Sequence, residues 1–379
     1  MKSNALAVQS ILETAENLAQ RWQVPGRSPS SHEQYRALYV VTLALLIVIA
    51  GCGSGGGTLT TPAAGPSIYL TQDVPLTQAS NILQFSTTAN GTASPTSTLT
   101  GPDNVVFSGL AVDGTGNAYV GGEIFGTGGG SGGPPLVSVE ILVYAPGASG
   151  THPTRTITST SLQTNLGGIN ALTVDSSGNL YVSAVLAAPN LGSGIAIFSP
   201  TANGDAVPIR VIGGIATTII GLGPIPIAVD SADNIYVTTG YNLGPESILI
   251  FNSSANGNVP PTSTIGGPTT TINLIGGLAL DSAGNIYVSN GPSDQNALPE
   301  ILEFSAGSTG NVAPTRTISG PASTMSSVGN LALDSAGNIY VLNDLNLLKF
   351  APNAVGNVAP IATITTVGSL IFDNSITVH

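Results

Sequence analysis

The sequence predicts an all-β protein, a six-bladed β-propeller of four-stranded antiparallel blades, and three observations predict this fold. The string LALDSAGNIYV stands at residues 278–288 and again at residues 331–341. Only 7% of residues are charged, and 48 glycines and 26 prolines favour short strands and turns over helices. A tyrosine recurs at spacings of 50, 62, 55, 51 and 53 residues, at Tyr69, Tyr119, Tyr181, Tyr236, Tyr287 and Tyr340. Such a regular period indicates a repeat architecture.

Each cycle contains four short stretches of strand character. In the cycle that begins at Leu278 they are LALD (278–281), IYV (286–288), ILEF (301–304) and PTRTI (314–318). The first is continuously apolar up to its Asp, as expected for a strand buried on both faces. The fourth is polar and opens with a proline in every cycle, at Pro95, Pro153, Pro208, Pro261, Pro314 and Pro360. Because proline is tolerated mainly at strand starts and on edge strands, the fourth strand is predicted to be the outer edge.

The number of inner strands predicts the number of blades. Six copies begin at Leu110, Leu172, Ile227, Leu278, Leu331 and Leu370. The ordered region starts midway through a blade with SIYL (67–70), and the stretch at 370–379 begins another blade. We therefore expect a C-terminal inner strand to close the ring beside the N-terminal strands. ITV (376–378) has the same strand character as IYL (68–70), so the register of this closure stays open.

An Asp follows each complete inner strand, and the repeat itself explains it. The Asp residues are Asp113, Asp175, Asp230, Asp281 and Asp334, each followed four residues later by an Asn. Asp at the start of a turn bonds backbone amides ahead of it, and the Gly before the Asn accepts a positive φ. In the third copy Asp233 takes the place of Gly, and Asp tolerates that conformation. An Asp present in every copy is predicted to stabilise the turn that follows it, since a catalytic carboxylate normally appears once.

The N-terminal residues predict export and lipid attachment. An apolar run of fifteen residues, 37–51, follows Arg36 and suits the core of a signal peptide better than a membrane span. The sequence IAGC at 49–52 resembles the lipobox of bacterial lipoproteins. That resemblance implies removal of residues 1–51, a signal peptide with a long n-region, and acylation of Cys52. An uncleaved anchor helix and an incidental thiol are the alternatives. Residues 52–66 have the composition of a flexible tether before the propeller at 67–379.

The repeat also carries a family resemblance. GLALDSAGNIYVSN, followed by ILEF, resembles the NHL-type repeat, and more loosely the six-bladed gluconolactonase-type propellers. The resemblance covers residues 67–379. It implies a propeller fold, while the activities of such propellers include protein binding, RNA binding and catalysis. Gluconolactonase-type enzymes imply a metal held by Glu and Asn or Asp in the channel, and no such Glu is placed on an inner strand here.

One end of the propeller is the candidate recognition face. The connections after the first and third strands are nearly constant, whereas those after the second and fourth vary freely, and binding residues concentrate in variable loops on a rigid scaffold. Unrepeated residues in these variable connections are Glu123, Tyr241, Glu246, Asp294, Glu300 and Asp344. Two or three of these carboxylates gathered at the central opening would form an oxygen site for Ca²⁺, with solvated loop charges as the alternative.

Charge and histidine content restrict the remaining functions. From Cys52 onward four basic residues face seventeen acidic ones, a formal balance of −13, so nucleic acid and anionic lipid are poor partners. The histidines, His32, His152 and His379, form no catalytic or transition-metal pattern. We therefore expect no catalytic residues and no resident metal. The predicted function is a binding or scaffolding module of a membrane-anchored extracytoplasmic lipoprotein. It is expected in the periplasm or at the cell surface, with the outer membrane as the expected membrane and a protein, cell-wall or glycan as the ligand. The alternative is a Ca²⁺-dependent hydrolase or lactonase.

Overall fold

A computed structural model of the chain describes residues 66–74, 79–125, 136–158, 168–186, 192–220, 225–239, 246–292, 297–344, 346–365 and 375–379. The chain divides into two compact units, Met1–Ala63 and Ala64–His379, and every described residue belongs to the second. The predicted signal segment, Cys52 and the tether up to residue 65 lie outside the described residues. Within the described ranges, no helix is long and apolar enough to cross a membrane.

The described residues form short strands along the whole of the second unit. The first strands in chain order are β1 (Ser67–Val74), β2 (Ala79–Ser86), β3 (Gly91–Thr92), β4 (Ser97–Thr100), β5 (Val105–Val112), β6 (Ala118–Phe125), β7 (Leu136–Tyr144), β8 (Arg155–Thr158), β9 (Ile169–Val174), β10 (Leu180–Leu186), β11 (Gly192–Phe198), β12 (Gly204–Asp205) and β13 (Arg210–Gly213). The later strands are β14 (Ile227–Val229), β15 (Ile235–Thr238), β16 (Ile248–Phe251), β17 (Ser263–Ile265), β18 (Leu274–Leu280), β19 (Ile286–Gly291), β20 (Glu300–Phe304), β21 (Arg316–Ser319), β22 (Leu331–Leu333), β23 (Ile339–Asn343), β24 (Asn346–Phe350), β25 (Ala362–Thr365) and β26 (Ile376–Val378). Three 3₁₀ turns span Ile215–Thr217, Pro268–Thr270 and Pro321–Ser323.

These strands form six sheets, which confirms the predicted six-bladed β-propeller. Blade 1 has the order β26-β1-β2-β4, and blades 2 to 6 begin with the inner strands β5, β9, β14, β18 and β22. Each inner strand contacts the inner strands of its neighbours, so the six sheets stand round one axis. The proline-led strands β4, β8, β13, β17, β21 and β25 each lie fourth from the axis, as predicted.

The ring is closed by the last residues of the chain, in a register that corrects the predicted position of the inner strand. ITV is itself the inner strand of blade 1, because β26 pairs antiparallel with β1, with Leu70 opposite Ile376 and Ile68 opposite Val378. The predicted start at Leu370 is therefore wrong, and residues 366–374 lie outside the described residues. The sequence LIFDNSITV (370–378) fits an inner strand followed by a second strand. The second position of blade 1 is already occupied by β1, so ITV takes the inner position.

The hydrophobic core lies between the blades. Six clusters of buried side chains occupy the six joints between adjacent blades. At the joint of blades 3 and 4, for example, Ile197 and Ile212 pack in one cluster with Phe251, and all three are fully buried. Each such side chain contributes about 1.5–3 kcal/mol of hydrophobic free energy. Stability therefore depends on blade-to-blade contact all the way round the ring.

The Asp residues of the repeat stabilise the turns that follow them, as predicted. In the first copy Oδ1 of Asp113 accepts the backbone N–H groups of Thr115 and Asn117 at 2.9 and 3.0 Å. Gly116 has a φ of 87°, and Asp233 adopts a φ of 61° at the corresponding place in the third copy. Burial raises the pKa of Asp113, but the hydrogen bonds from Asn117 and Thr115 outweigh it and lower that pKa to about 2.

The repeated tyrosine also bonds to this Asp, a contact that the sequence did not predict. The hydroxyl of Tyr340 donates to Oδ2 of Asp334 at 2.9 Å, and the same bond recurs in the four preceding blades. The side-chain amide of the repeated Asn donates to the same oxygen, at 2.7 Å in the case of Asn338. The Asp carboxylate therefore connects the first turn to the second strand in five blades.

Candidate functional site

The connections after the second and fourth strands lie at one end of the blades, which we call the variable-loop face. The connections after the first strands lie at the other end, which we call the turn face. The two ends differ because antiparallel strands place successive connections on opposite sides of a sheet. The third connections start on the turn face and run outward along the rim of the preceding blade. The parallel pairing of β12 with β8 and of β3 with β25 shows this course.

The connections after the fourth strand are not freely variable, which corrects the sequence prediction. In blades 3, 4 and 5 each begins with the same 3₁₀ turn, preceded by a Gly with φ between 108° and 114°. Each turn ends at a threonine with positive φ, at Thr218, Thr271 and Thr324. A hydroxyl inside each turn donates to the carbonyl of that Gly, as Thr270 does to Gly267 at 2.6 Å. In these blades the conformation of the turn is therefore constant, although its residues differ between Ile-Ala-Thr, Pro-Thr-Thr and Pro-Ala-Ser.

An asparagine of the following blade holds each of these turns. The side-chain oxygen of Asn311 accepts the backbone N–H of Thr269 at 2.7 Å, and Asn258 and Asn357 do the same for Ala216 and Ala322. These asparagines belong to the triplet Gly-Asn-Val of the third connection, which recurs at 257–259, 310–312 and 356–358. The triplet can be recognised in the sequence, but no local pattern indicates that its asparagine bonds to a turn of the preceding blade.

All four basic residues of the described part connect one blade to the next. Nη1 of Arg155 donates to the carbonyls of Pro200 and Ala202 at 2.8 and 2.9 Å. Arg210 and Arg316 make the corresponding contacts to the next blade. In blade 6, Ala362 stands at the arginine position, and Lys349 on the neighbouring strand donates to the carbonyl of Thr87 at 3.0 Å. The basic residues are therefore structural, which leaves the described part of the variable-loop face without a cation.

The predicted site residues lie in different blades. Glu123 is half-buried on β6 of blade 2, Glu246 precedes β16 of blade 4, Glu300 begins β20 of blade 5, and Asp344 lies in the turn after β23 of blade 6. Tyr241 and Asp294 lie outside the described residues. Across the described ranges, no group of three or more His, Cys, Asp or Glu is close enough to hold a metal ion.

Two of these carboxylates are held by neighbouring polar side chains. Oε1 of Glu300 accepts the side-chain amide of Asn290 at 2.8 Å, and Asn290 also accepts the backbone N–H of Asn273 at 2.9 Å. The exposed Asp344 accepts the hydroxyl of Ser326 at 2.5 Å and has a φ of 50°. Both residues therefore fix the connections of the variable-loop face in place.

Glu246 has a different environment from the other candidates. Its residue is 4% exposed, and its Oε2 accepts the backbone N–H of Ile275, in blade 5, at 2.6 Å. Burial raises the pKa of Glu246 to about 7, and the hydrogen bond from Ile275 only partly offsets this effect. Sequence reasoning placed Glu246 at this face but did not predict its burial, because the partner lies 29 residues later in another blade.

Replacement of Glu246 by Gln is expected to stabilise the protein above neutral pH. Below the ordinary pKa of 4.5 the carboxyl is protonated in both the folded and the unfolded state. As pH rises to about 7 the unfolded chain loses this proton first, so the wild-type protein loses stability that Gln retains. We expect Glu246→Gln to be more stable by about 1–3 kcal/mol near pH 8, after allowance for solvent screening. Urea unfolding of both proteins at about pH 5 and pH 8 checks this, and a difference that does not grow with pH contradicts it.

The fold and this face define a six-bladed β-propeller that carries isolated, individually bonded carboxylates. No protein-family model matches the chain, and no curated protein matches it. Among solved structures, a protein of unknown function from Bacteroides caccae is similar over 83% of this chain and 99% of its own, with 9% identity and a TM-score of 0.51. PorZ, an essential bacterial surface component of the type IX secretion system of Porphyromonas gingivalis, is similar over 75% of this chain and 37% of its own, with 13% identity and a TM-score of 0.41. At 9% identity the likeness to the Bacteroides caccae protein shows the fold alone.

Proposed function

We propose that this chain is an extracytoplasmic lipoprotein of the outer membrane, anchored through Cys52, whose NHL-like propeller acts as a binding or scaffolding module. The observation that carries the proposal is that repeated and unrepeated polar side chains have different roles. The repeated Asp, Tyr, Asn and Arg residues hold turns and join blades, whereas the unrepeated ones are spread singly over the variable-loop face. A spread of single polar groups suits recognition of a large ligand, a protein or a cell-wall glycan.

Anchoring is tested through the single cysteine. In cells fed an alkyne fatty acid, the wild-type protein is expected to take up the label and to fractionate with membranes. The variant Cys52→Ser removes the thiol that would carry the acyl chain, so we expect it to lose the label and leave the membrane fraction. Retention of the label by Cys52→Ser contradicts acylation at this residue.

Recognition is tested by photo-cross-linking from matched positions on intact cells. Leu298 and Asp344 are exposed on the variable-loop face of blades 5 and 6, and Ser282 and Ser335 are exposed on the turn face of the same two blades. A photoreactive residue at either of the first two positions is expected to give a discrete cross-linked species, and one at either of the last two is not. Equal cross-linking from both faces contradicts the assignment of the face. Turnover of a lactone that depends on Ca²⁺ and is lost in Glu300→Gln overturns the non-catalytic role.

A further inference from the structure

The outer edges of five blades are covered by the third connection of the following blade. In blade 4, the backbone N–H of Gly310 donates to the carbonyl of Thr264 at 2.6 Å, and Gly266 donates back to Gly310 at 3.2 Å. Equivalent pairings occur at blades 3 and 5 as single bridges, and at blades 2 and 6 through β12 and β3. The fourth strand of these blades is therefore not an open edge.

Blade 1 is the exception. Thr98 and Thr100 of β4 correspond to Thr264 and Gly266, but within residues 97–101 and 145–154, all of them described, no backbone pairing joins blade 2 to this edge. Thr98 is exposed, whereas the residue at its position is half-buried in the other five blades. In blade 4 the backbone N–H of Thr269 donates to the side chain of Asn311. The corresponding N–H in blade 1 is that of Asp103, which has no such partner among the described residues. Among the described residues, blade 1 therefore presents unpaired backbone groups along an uncharged strand.

The cause is a single missing residue in blade 2. The chain takes eleven steps from Tyr144 to Arg155, against twelve between the equivalent positions in the other five blades. The shortened stretch reads Gly150-Thr151-His152 in place of the Gly-Asn-Val of blades 4, 5 and 6. Gly150 has a φ of 108°, whereas the corresponding glycines of the other five blades have φ between 60° and 76°. Ser97 stands where three blades carry an arginine, so the joint also lacks the basic contact.

The same joint contains a buried polar atom without a partner. The other blades carry Phe at the corresponding position of the third strand, but blade 2 carries Tyr144, which packs in one cluster with Leu99 of β4. Tyr144 is 1% exposed, and its hydroxyl has no hydrogen-bond partner among the described residues. Buried polar groups are normally satisfied, so the phenol of Tyr144 makes the interior of this joint different in chemistry from the joints that carry Phe.

We propose that the open edge of β4 binds an extended, uncharged segment of another protein that carries a Gly-Asn-Val sequence and runs parallel to β4. The five covered edges supply the chemistry of the occupant, because each pairs with a glycine, and at blades 3, 4 and 5 that glycine begins Gly-Asn-Val. A glycine provides the positive φ, its N–H and carbonyl pair with the edge strand, and the asparagine oxygen accepts the N–H of the following turn. No charged side chain on β4 opposes such a strand, and unprotected edges of this kind pair readily with other chains. The proposal rests on the fold and not on lipid attachment or on the variable-loop face.

The test uses the purified full-length protein and a labelled peptide with the sequence of residues 253–260, SSANGNVP. The key variant replaces residues 150–153 by the five residues 310–314, which restores the missing position and covers the edge. We expect saturable binding to the wild type, and binding weakened at least about tenfold in the restored variant. A peptide with Val in place of its Gly is expected to bind as weakly, because Val does not adopt the positive φ.

A second variant protects the test against misfolding of the restored loop. Thr100→Pro removes an outward N–H while leaving the pairing of β4 with β2, and it is also expected to weaken peptide binding. Peptide binding that is equal in the wild type and in a folded restored variant overturns the proposal. A concentration-dependent dimer that the restored variant lacks, with no effect of the peptide, assigns the edge to a second copy and also overturns it.

Discussion

Deletion of residues 375–379 is expected to unfold the propeller or leave it without a cooperative transition. Ser67 donates to the carbonyl of His379 at 2.6 Å and accepts from its N–H at 2.9 Å, and Thr71 bonds both backbone groups of Ser375. Ile376 is buried in the cluster between blades 6 and 1. Loss of the buried Ile removes about 2–5 kcal/mol, and each lost backbone bond removes about 1 kcal/mol. The sum is comparable with the whole stability of a typical domain, about 5–15 kcal/mol.

Urea unfolding followed by circular dichroism measures this effect. The control variant is His379→Ala, which keeps the backbone bonds of the closing strand and removes only an exposed ring, so we expect a change within about 0.5 kcal/mol. A deletion variant that unfolds cooperatively with a loss below about 1 kcal/mol would show that the ring does not depend on this strand.

Replacement of Arg316 by Ala is expected to cost about 3–5 kcal/mol. Arg316 forms an ion pair with Glu303 on the neighbouring strand, donates to the hydroxyl of Tyr287 at 3.1 Å, and donates to the carbonyl of Pro352 in blade 6 at 2.7 Å. The side chain of Glu303 is 13% exposed, so removal of the arginine leaves a largely buried carboxylate without its counter-charge.

The chain offers a matched position for comparison. Ser263 occupies the arginine position in blade 4 and makes only an exposed hydroxyl bond to Thr309 at 2.6 Å. Ser263→Ala is therefore expected to cost less than about 1 kcal/mol. The double variant Arg316→Ala/Glu303→Gln is expected to recover part of the loss, because it removes the unpaired charge. Equal losses for the arginine and serine variants in urea unfolding contradict a stabilising role for Arg316 and its ion pair.

The sequence predicted the parts of the fold that repeat. The tyrosine period, the Asp turn and the proline before the fourth strand each have a local physical cause, so they could be interpreted without coordinates. The closing strand was misplaced because LIFDNSITV fits two adjacent strand positions, and only the presence of β1 beside Ile376 decides between them. Local pattern also did not show that the constant third connection reaches back to the preceding blade.

The candidate site could be predicted only in part. Position in the repeat places Glu123, Glu246, Glu300 and Asp344 at one face, and the described strands agree with that placement. It gives neither their separation round the ring nor their partners, because contacts between blades join residues that are distant in sequence, such as Glu246 and Ile275, 29 positions apart. The burial of Glu246 and the open edge of β4 both arise at joints between blades. The open edge results from the loss of one residue in the third connection of blade 2.

Hydrogen exchange tests most directly the claim that the repeats form one ring closed by the last strand. In the intact wild-type protein, the backbone amides of Ser67, Thr71 and His379 are predicted to exchange as slowly as the amide of Val288 in the middle of β19, since all of them open only with the whole propeller. Exchange of these three amides at the rate of an unprotected chain, while Val288 stays protected, would contradict the closed ring.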